Sequence, residues 1–487
     1  MKNKANPKHL LRQTREQVTL EAVQGTDGQA YLVYESTRVR LATPMESAKV
    51  IPLIKKIVSN ALDCTITRSE ARDIFESMEG ELLATPGGKS AMLPRVGFGE
   101  NGPEVLLDSN KGTVVQFNGG KYEIVRGGTA TFINSPEANG FLYPLRMEKL
   151  IRGINRFRKI TRLPTDDCML VILWILHTYL PQGPYLLLII NGESGSGKSI
   201  LTECIRLLVD PSSVPTLDQP KNEKELFGAA QSNHVIAIDN ASKLKTKLLD
   251  GLCRISTGGG ISIHKGNRLA DQKAYHACRP VILNSIGPVA LRNDVLQRSI
   301  VINLGHSTNN VDAEIALDNF KAECPRILGS LFQAVAHGLS RIDEIGKESS
   351  FRMAGFLAWS IAAGSAFGWS EEKIRSVYAK NQTEAFSRLG ESDTLLIAIR
   401  ELVRREGEWH GTATELLGRL KEIVLQGANR DEMDIKGFPK GANALSGRLD
   451  RAREALNAFG IQFDRGQSGG GKDRFIHLTP FADREAD

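Results

Sequence analysis

The residues with the clearest chemical meaning form a glycine-rich segment between 192 and 199. Its sequence, Gly-Glu-Ser-Gly-Ser-Gly-Lys-Ser, matches the pattern G-x-x-x-x-G-K-[ST] and follows an apolar run, Tyr185–Ile190. In this pattern backbone N–H groups converge on phosphate oxygens, the lysine reaches the outer phosphates and the last hydroxyl holds Mg²⁺. A helix over Ser199–Val209 would add the positive end of its dipole. The segment therefore predicts a phosphate-binding loop made of Gly192, Glu193, Ser194, Gly195, Ser196, Gly197, Lys198 and Ser199.

Two later apolar segments end in polar residues that suit the same chemistry. His234–Ile238 is followed by Asp239, and Pro280–Leu283 is followed by Asn284. Open α/β sheets bind ligands at the carboxyl ends of their strands, so we expect both residues to lie near the phosphate-binding loop. Asp239 is placed to hold Mg²⁺ together with Ser199. Asn284 either starts the turn that follows it or senses the γ-phosphate and orients the attacking water.

Basic residues in two further segments allow both a structural and a functional interpretation. Lys265, Arg268 and Lys273 lie near the tip of a predicted hairpin, where they form either a solvated charged loop or a nucleic-acid contact. Arg298 comes just before another apolar strand. It either forms a structural ion pair with Asp294 or acts as an arginine finger that neutralises charge on a transferring phosphoryl group.

Length and composition set the outer limits of the interpretation. A chain of 487 residues is too long for one compact core, and its length predicts about three domains. A net charge of +6 permits a nucleic-acid partner without requiring one. The six cysteines form no C-x-x-C pair, which argues against a zinc ribbon or a disulfide framework. With no signal-peptide core or bilayer-length apolar run, we expect a cytoplasmic protein.

The character of the sequence changes along the chain and divides it into four parts. Residues 1–160 show short strands around one helical stretch, Ala48–Asn60, and predict a β-rich α+β domain of unknown role. Residues 161–310 show strands followed by helices, the pattern of an α/β sheet covered on both faces. Residues 311–390 have apolar spacing typical of helices. Residues 391–487 form the fourth part.

This last part predicts three helices followed by a β-hairpin, which is the outline of a winged helix. Arg448 and Arg451 lie on the third helix, and Lys472 lies at the hairpin tip. A helix of this kind suits the DNA major groove, and a wing suits phosphate contacts. Winged helices also mediate protein contacts and acidic residues dilute the basic patch, so both interpretations stay open.

These motifs, in this order, resemble the superfamily 3 helicases, specifically the helicase-like ATPases encoded by phages, plasmids and integrated elements. The matching segments are Gly192–Ser199, Val235–Ser242, Leu252–Gly260, Arg279–Asn284 and Asp294–Ser299. The C-terminal segments Gly411–Leu417 and Arg474–Leu478 are similar to the winged-helix tail of phage primase-helicase proteins.

The resemblance implies an α/β P-loop AAA+ ATPase core that assembles into a hexameric ring and binds ATP and Mg²⁺ between subunits. In such a ring Lys198 and Ser199 would hold the phosphates and Mg²⁺. Asp239 would be the first acid of the second motif, and Asn284 would be the sensor asparagine. The hairpin from His264 to Lys273 would line the central channel and carry the basic residues that contact single-stranded DNA.

The same resemblance implies that Arg298 reaches the nucleotide of a neighbouring subunit. The implied function is an ATP-dependent DNA helicase that replicates a phage, plasmid or integrated element. Its partners would be DNA, further copies of this chain and a separate primase or replication protein. Residues 1–160 offer neither zinc ligands nor a recognisable acidic triad, so we expect no primer synthesis by this chain alone.

Asn240 departs from the pattern of these helicases. Many relatives carry a second acid at this position, and an amide cannot accept a proton as a general base. Asn240 would then orient water by hydrogen bonding, or a base such as Glu193 would act instead. Two other functions stay open: an AAA+ loader or switch that does not unwind DNA processively, and a DNA-binding regulator with an inactive nucleotide site. The intact Lys198, Ser199 and Asp239 speak against the regulator.

Overall fold

A computed structural model describes residues 6–84, 89–241, 244–264, 272–286, 292–305, 313–345, 354–426, 438–467 and 474–481. The helices are α1 (Pro7–Gln17), α2 (Val50–Ala61), α3 (Arg68–Ala84), α4 (Ile151–Thr161), α5 (Thr165–Thr178), α6 (Lys198–Val209), α7 (Glu223–Ser232), α8 (Thr246–Thr257), α9 (Asn293–Leu296), α10 (Ala313–Arg341), α11 (Ala354–Gly364), α12 (Glu371–Ser392), α13 (Thr394–Glu406), α14 (Ala413–Gln426) and α15 (Ala442–Ala458). The strands are β1 (Leu20–Gln24), β2 (Ala30–Ser36), β3 (Val39–Pro44), β4 (Val96–Gly99), β5 (Gly102–Asp108), β6 (Thr113–Asn118), β7 (Lys121–Arg126), β8 (Thr131–Ile133), β9 (Leu187–Gly192), β10 (Ile236–Ile238), β11 (Gly259–His264), β12 (Gln272–Ala277), β13 (Val281–Ser285), β14 (Ser299–Leu304), β15 (Trp409–Thr412), β16 (Ile461–Gln467) and β17 (Arg474–Pro480).

The N-terminal region contains two four-stranded sheets, ordered β1-β2-β3-β8 and β4-β5-β6-β7. The prediction of a single helix in this region is wrong, because α1, α3 and α4 accompany α2. Two of the missed helices begin at recognisable caps. The Asn6 side chain accepts a hydrogen bond from the Lys8 N–H at 3.0 Å, and Pro7 follows it. Thr67 and Glu70 form a reciprocal capping box at the start of α3.

The central sheet consists of parallel strands in the order β10-β13-β9-β14. Alternate residues of β9 pack into two different clusters of buried side chains. Leu188 and Ile190 pack with residues of α5, α6 and α10. Leu187 and Ile189 pack with residues of α7, α8 and the C-terminal helices. Helices therefore cover both faces of the sheet, and the mixed α/β class expected from the sequence is confirmed.

The C-terminal helices pack on the remainder of the chain instead of standing apart from it. Strands β15, β17 and β16 form an antiparallel sheet beside α13, α14 and α15. Two side chains near the start of β14 touch α15: the Gln297 amide donates to Glu454 at 3.0 Å, and the Asn293 amide donates to the Arg451 carbonyl. Strand β15 is four residues long, too short for its alternation to be read from sequence.

A buried ion network ties the N-terminal region to the end of α6. Arg95 donates to Asp210 at 3.1 Å, and Arg206 donates to the same carboxylate at 2.9 Å. Asp210 also accepts hydrogen bonds from the backbone N–H groups of His234 and Val235. Burial raises the pKa of Asp210, but the two arginines overcome this effect and hold it below its usual range. Helix α6 is therefore fixed at its carboxyl end.

Candidate nucleotide-binding site

The loop between β9 and α6 has the backbone conformation that its glycines predict. Gly195 and Gly197 adopt positive φ angles of 78° and 90°, which side-chain-bearing residues rarely tolerate. At Gly192 a Cβ atom would lie 2.4 Å from the Ser196 Oγ and 3.0 Å from the Leu304 carbonyl oxygen, so a side chain there would crowd the returning loop. Helix α6 begins at Lys198, and the exposed residues from 193 to 195 surround its amino end. The loop is thus an open cradle at a helix N-terminus, which favours anions.

Lys198 lies in the middle of this cradle. Its ammonium group donates to the carbonyl oxygens of Gly192 at 2.8 Å and Glu193 at 2.6 Å. The side chain is buried, and burial lowers the pKa of Lys198, an effect that the nearby Asp239 carboxylate opposes. The lysine is therefore held over the loop by weak carbonyl partners that phosphate oxygens could replace.

Ser199 and Asp239 come together as the sequence predicts. The Ser199 hydroxyl lies 3.4 Å from Oδ2 of Asp239, although these residues are 40 positions apart in the chain. Ser199 is exposed and Asp239 is partly exposed, so both oxygens face the mouth of the loop. A hydroxyl and a carboxylate are oxygen donors of the kind that Mg²⁺ prefers, and the pair therefore fits that ion.

The strand register places three polar residues in one row at this edge of the sheet. Ile238 pairs with Leu283, so the next residues, Asp239 and Asn284, lie side by side. Leu217 forms a parallel bridge with Ile238 on its other side, which puts Asp218 next to Asp239. Adjacent strands are about 4.8 Å apart, so the row from Asp218 to Asn284 spans about 10 Å.

Two side chains of the row, those of Asp239 and Asn284, contact α6, and Asp218 lies beside Asp239. Leu217, Ile238 and Leu283 pack into the cluster on the opposite face of the sheet. Side chains alternate along a strand, so Asn284, which follows Leu283 in β13, points toward α6. Asp218 is exposed, and no hydrogen bond or ion pair of its carboxylate is seen in the described part of the chain. Two carboxylates and one amide therefore lie in a row beside the loop.

Asn284 is fixed by a partner on α6. Its Oδ1 accepts a hydrogen bond from the Thr202 hydroxyl at 2.8 Å, and both residues are fully buried. Its Nδ2 is buried and has no hydrogen-bond partner among the described residues, and the same holds for the Ser196 Oγ in the loop. Buried polar atoms in proteins are nearly always paired, so two unpaired ones beside the cradle indicate a polar ligand or water.

Asn240 occupies the position after Asp239 with a left-handed backbone, φ 55°. Its N–H donates to Oδ1 of Asp239 at 3.0 Å, and its own side chain is exposed. This contact helps to orient the Asp239 carboxylate. The Asn240 amide can accept a hydrogen bond, but it cannot act as a general base.

Arg298 and the loop lie at opposite ends of the parallel strands. Ser299 pairs with Leu187 and Leu304 pairs with Gly192, so Arg298 sits at the amino end of β14. At about 3.3 Å per residue, it is about 20 Å from the loop of its own chain, further than its side chain reaches. It does not pair with Asp294 in the described chain, because Arg292 takes that carboxylate at 2.8 Å. The predicted structural ion pair is therefore made by a different arginine.

The predicted DNA-contacting hairpin is present as an antiparallel pair, with His264 opposite Gln272 and Lys273 opposite Ile263. Lys265 and Arg268 at its tip lie outside the described residues, as does Lys472 in the C-terminal hairpin. Contact between these residues and DNA stays a prediction.

Arg448 and Arg451 differ in their surroundings on α15. Arg448 donates to both carboxylate oxygens of Asp393 at 2.8 Å, and Asp393 is the N-cap of α13. This ion pair gives Arg448 a structural role that the sequence did not indicate. Arg451 is exposed, but its helix turn rests on α9 through the contact with Asn293. DNA binding by either residue also stays a prediction.

Two families match the chain at the level of sequence. Residues 154–371 match the family described as the actinomycete integrative conjugative element replication protein, and residues 395–486 match its AICE RepA C-terminal domain. The chain is similar to this replication protein family. The loop, Asp239, Asn284 and Arg298 all lie within the first matched region. No curated protein sequence matches the chain.

Solved structures with a similar course of the chain have low identity to it. The structure titled "SCCmec type IV Cch - active helicase" is 14% identical, with a TM-score of 0.48, 95% of this chain covered and 93% of the other. The apo C-terminal region of NrS-1 is 12% identical, with a TM-score of 0.40, 98% of this chain covered and 100% of the other. In the part of the chain that is described, no helix is long and apolar enough to span a bilayer.

Two functional candidates and the ion-pair partner of Asp294 escaped the sequence interpretation. Thr202 could have been found, because it lies one turn after Lys198 on the same face of the predicted helix. Asp218 could not, since its proximity to Asp239 depends on a single parallel bridge. Arg292 and Arg298 flank Asp294 at similar distances in sequence, and only the folded chain shows which of them pairs with it.

Proposed function

We propose that this protein is an ATP-driven DNA helicase of superfamily 3 that serves replication of an integrative conjugative element and works as a hexameric ring. The observation that carries the proposal is the row of Asp218, Asp239 and Asn284 beside a glycine loop with a buried lysine. The similarity to a replication protein family, the AAA+ order of motifs and the C-terminal winged-helix pattern support it.

Different residues at the loop would bind different parts of the triphosphate and its metal ion. Backbone N–H groups between Gly192 and Ser199 would hold phosphate oxygens, and Lys198 would exchange its carbonyl partners for the outer phosphates. Ser199 and Asp239 would hold Mg²⁺, which neutralises charge on the phosphates when bound. The unpaired Nδ2 of Asn284 would donate to the γ-phosphate or to the attacking water.

Asp218 is our candidate for the proton acceptor that Asn240 cannot be. The bridge between Leu217 and Ile238 places it about one strand spacing from Asp239. A carboxylate there would take a proton from the attacking water directly or through one further water. Glu193 is the alternative, but it sits on the loop whose carbonyls hold Lys198, not in the row.

Arg298 would complete the site of a neighbouring subunit. Its position, about 20 Å from its own loop by strand rise, excludes a role at that loop. In a head-to-tail ring, the surface that carries Arg298 would meet the loop surface of the next copy. Hydrolysis would then require assembly, and the β11–β12 hairpin would carry single-stranded DNA through the central channel.

A strand-displacement assay tests this function. The wild-type protein with ATP and Mg²⁺ should separate a forked duplex, and Lys198→Ala should lose both unwinding and ATP hydrolysis while keeping its fold. Unwinding by the Lys198→Ala variant would contradict the proposal. DNA-stimulated hydrolysis without strand separation would instead favour a loader or switch ATPase.

A further inference from the structure

Positive charge is concentrated in one segment that none of the proposed sites uses. Between Arg146 and Arg162 there are seven basic side chains and one acidic side chain. The net charge of this stretch equals the +6 of the whole 487-residue chain. The segment consists of α4 and the residues that flank it. The segment therefore carries an excess of charge that the rest of the surface lacks.

Part of this charge lies in a row on the solvent-exposed face of α4. Its buried face, Gly153, Ile154 and Phe157, packs against α10, and Phe157 makes an edge-to-face contact with Phe320. The opposite face carries exposed residues at helical spacing. This cationic stripe consists of Arg152, Asn155, Lys159 and Arg162. At about 1.5 Å per residue the stripe is about 15 Å long, enough to face several phosphates of a DNA strand.

The helix itself does not account for this charge. Basic residues in a last turn complement the helix dipole, which explains Lys159. Arg152 lies in the first turn, where the dipole disfavours a cation and where no acidic residue is present. Arg156, beside the stripe, does pair with Glu323 at 2.7 Å. In the part of the chain that is described, no ion pair is seen for Arg152, Lys159 or Arg162.

Exposed apolar side chains lie next to the amino end of the stripe. Leu142 and Tyr143 are each 41% exposed, Leu145 is 50% exposed, and the Lys111 ammonium lies over the Tyr143 ring, 5.2 Å from its centroid. The Leu145 N–H donates to the Pro325 carbonyl of α10 at 2.8 Å. Gly153 of α4 packs against the next turn of α10, at residues 326 and 330. The apolar segment and α4 therefore lie side by side on α10, and the stripe follows the apolar segment closely in the chain on the face of α4 that points away from α10.

We propose that the cationic stripe and the segment from Leu142 to Leu145 form a binding surface for single-stranded DNA. Cations that follow the backbone together with exposed aromatic and aliphatic side chains that meet unstacked bases are what sequence-independent single-strand binding requires. A duplex would use the cations but leave the apolar side chains without a partner. The surface is separate from the hairpin and the C-terminal helices, and it rests on the proposed function only in that this protein acts on DNA.

The test compares two triple variants that lose the same charge. Arg152→Gln/Lys159→Gln/Arg162→Gln removes the stripe, and Lys55→Gln/Lys56→Gln/Arg72→Gln removes three exposed cations from α2 and α3. Binding of a fluorescent single strand and of a blunt duplex is followed by anisotropy over a series of KCl concentrations. ATP hydrolysis without DNA and the molecular mass by light scattering are measured for both variants.

For the stripe variant, the plot of log affinity against log salt should become shallower by about 2 for the single strand, because each lost phosphate contact removes about 0.7. Affinity near 0.1 M salt should fall by roughly ten- to a hundred-fold. The control variant should keep the wild-type slope. Tyr143→Leu should weaken single-strand binding by at least about five-fold without changing the slope, since it removes a stacking surface but no charge.

An unchanged slope in the stripe variant would overturn the inference while leaving the proposed function intact. Loss of duplex binding alone, or loss of assembly together with DNA binding, would also overturn it, the latter because the stripe would then be a contact between copies. DNA-independent ATP hydrolysis should stay at the wild-type rate in both triple variants. If the wild-type protein bound no DNA at all, both the inference and the proposed function would fail.

Discussion

The position of Arg298 makes a quantitative prediction about mixed assemblies. Each active site needs Lys198 from one subunit and Arg298 from its neighbour, since the strand register puts Arg298 about 20 Å from its own loop. Arg298→Ala and Lys198→Ala should each be inactive alone, the former by a factor of about 10³ or more. In an equal mixture, half of the sites keep the lysine and half of those face an intact arginine. Hydrolysis should therefore recover to about a quarter of the wild-type rate in a head-to-tail ring.

The assay uses the two variants co-expressed with different affinity tags and purified by both tags in succession, which guarantees mixed assemblies. ATP hydrolysis is measured for this preparation, for each variant alone and for Arg298→Ala mixed with the double variant. The double variant supplies no intact arginine, so its mixture should remain inactive. If the first mixture showed no more activity than its components, or if Arg298→Ala retained hydrolysis, the trans role of Arg298 would be wrong.

Three further variants test individual contacts. Asp218→Asn should lower kcat for ATP hydrolysis by a factor of about 10²–10⁴ and leave nucleotide binding intact. Glu193→Gln should hydrolyse ATP at the wild-type rate. The reverse result would assign the general base to Glu193. Thr202→Val leaves Oδ1 of Asn284 buried without its donor and should lower the free energy of unfolding, measured in urea, by about 1–3 kcal/mol. Thr202→Ser keeps the hydroxyl and should lose less stability. Equal losses in the two variants would refute the hydrogen-bond explanation. Asp210→Asn leaves two buried guanidinium groups without their carboxylate and should cost about 3–5 kcal/mol at neutral pH. The folded pKa of Asp210 is depressed, so this stabilisation is present above the unfolded pKa of about 3.9 and is lost below it; a Tm difference between wild type and variant that grew toward lower pH would contradict this.

The loop and its strands could be predicted because the signals are local. Eight consecutive residues define the cradle, and continuous apolar runs identify β9, β13 and β14 within two residues of where the structure has them. The contact between Ser199 and Asp239 followed from a general property of parallel sheets, namely that strand ends of the same direction share one edge.

What could not be predicted depends on contacts between distant parts of the chain. Asp218 follows a strand segment so short that only Leu217 forms a bridge, so neither alternation nor length marks it. Arg448 is a basic residue on the predicted recognition helix, which made it a candidate for DNA contact, but in the folded chain it forms an ion pair with Asp393. The basic run that ends at Arg162 is visible in the sequence, but its meaning required knowing which of its residues are exposed.

The most direct measurement is the rate of ATP hydrolysis by the assembled wild-type protein with and without single-stranded DNA, beside Lys198→Ala. If the loop is a triphosphate site coupled to DNA, wild-type hydrolysis requires Mg²⁺, rises when the single strand is added and is lost in the variant. A wild-type rate indistinguishable from that of Lys198→Ala, with or without DNA, would contradict the central claim.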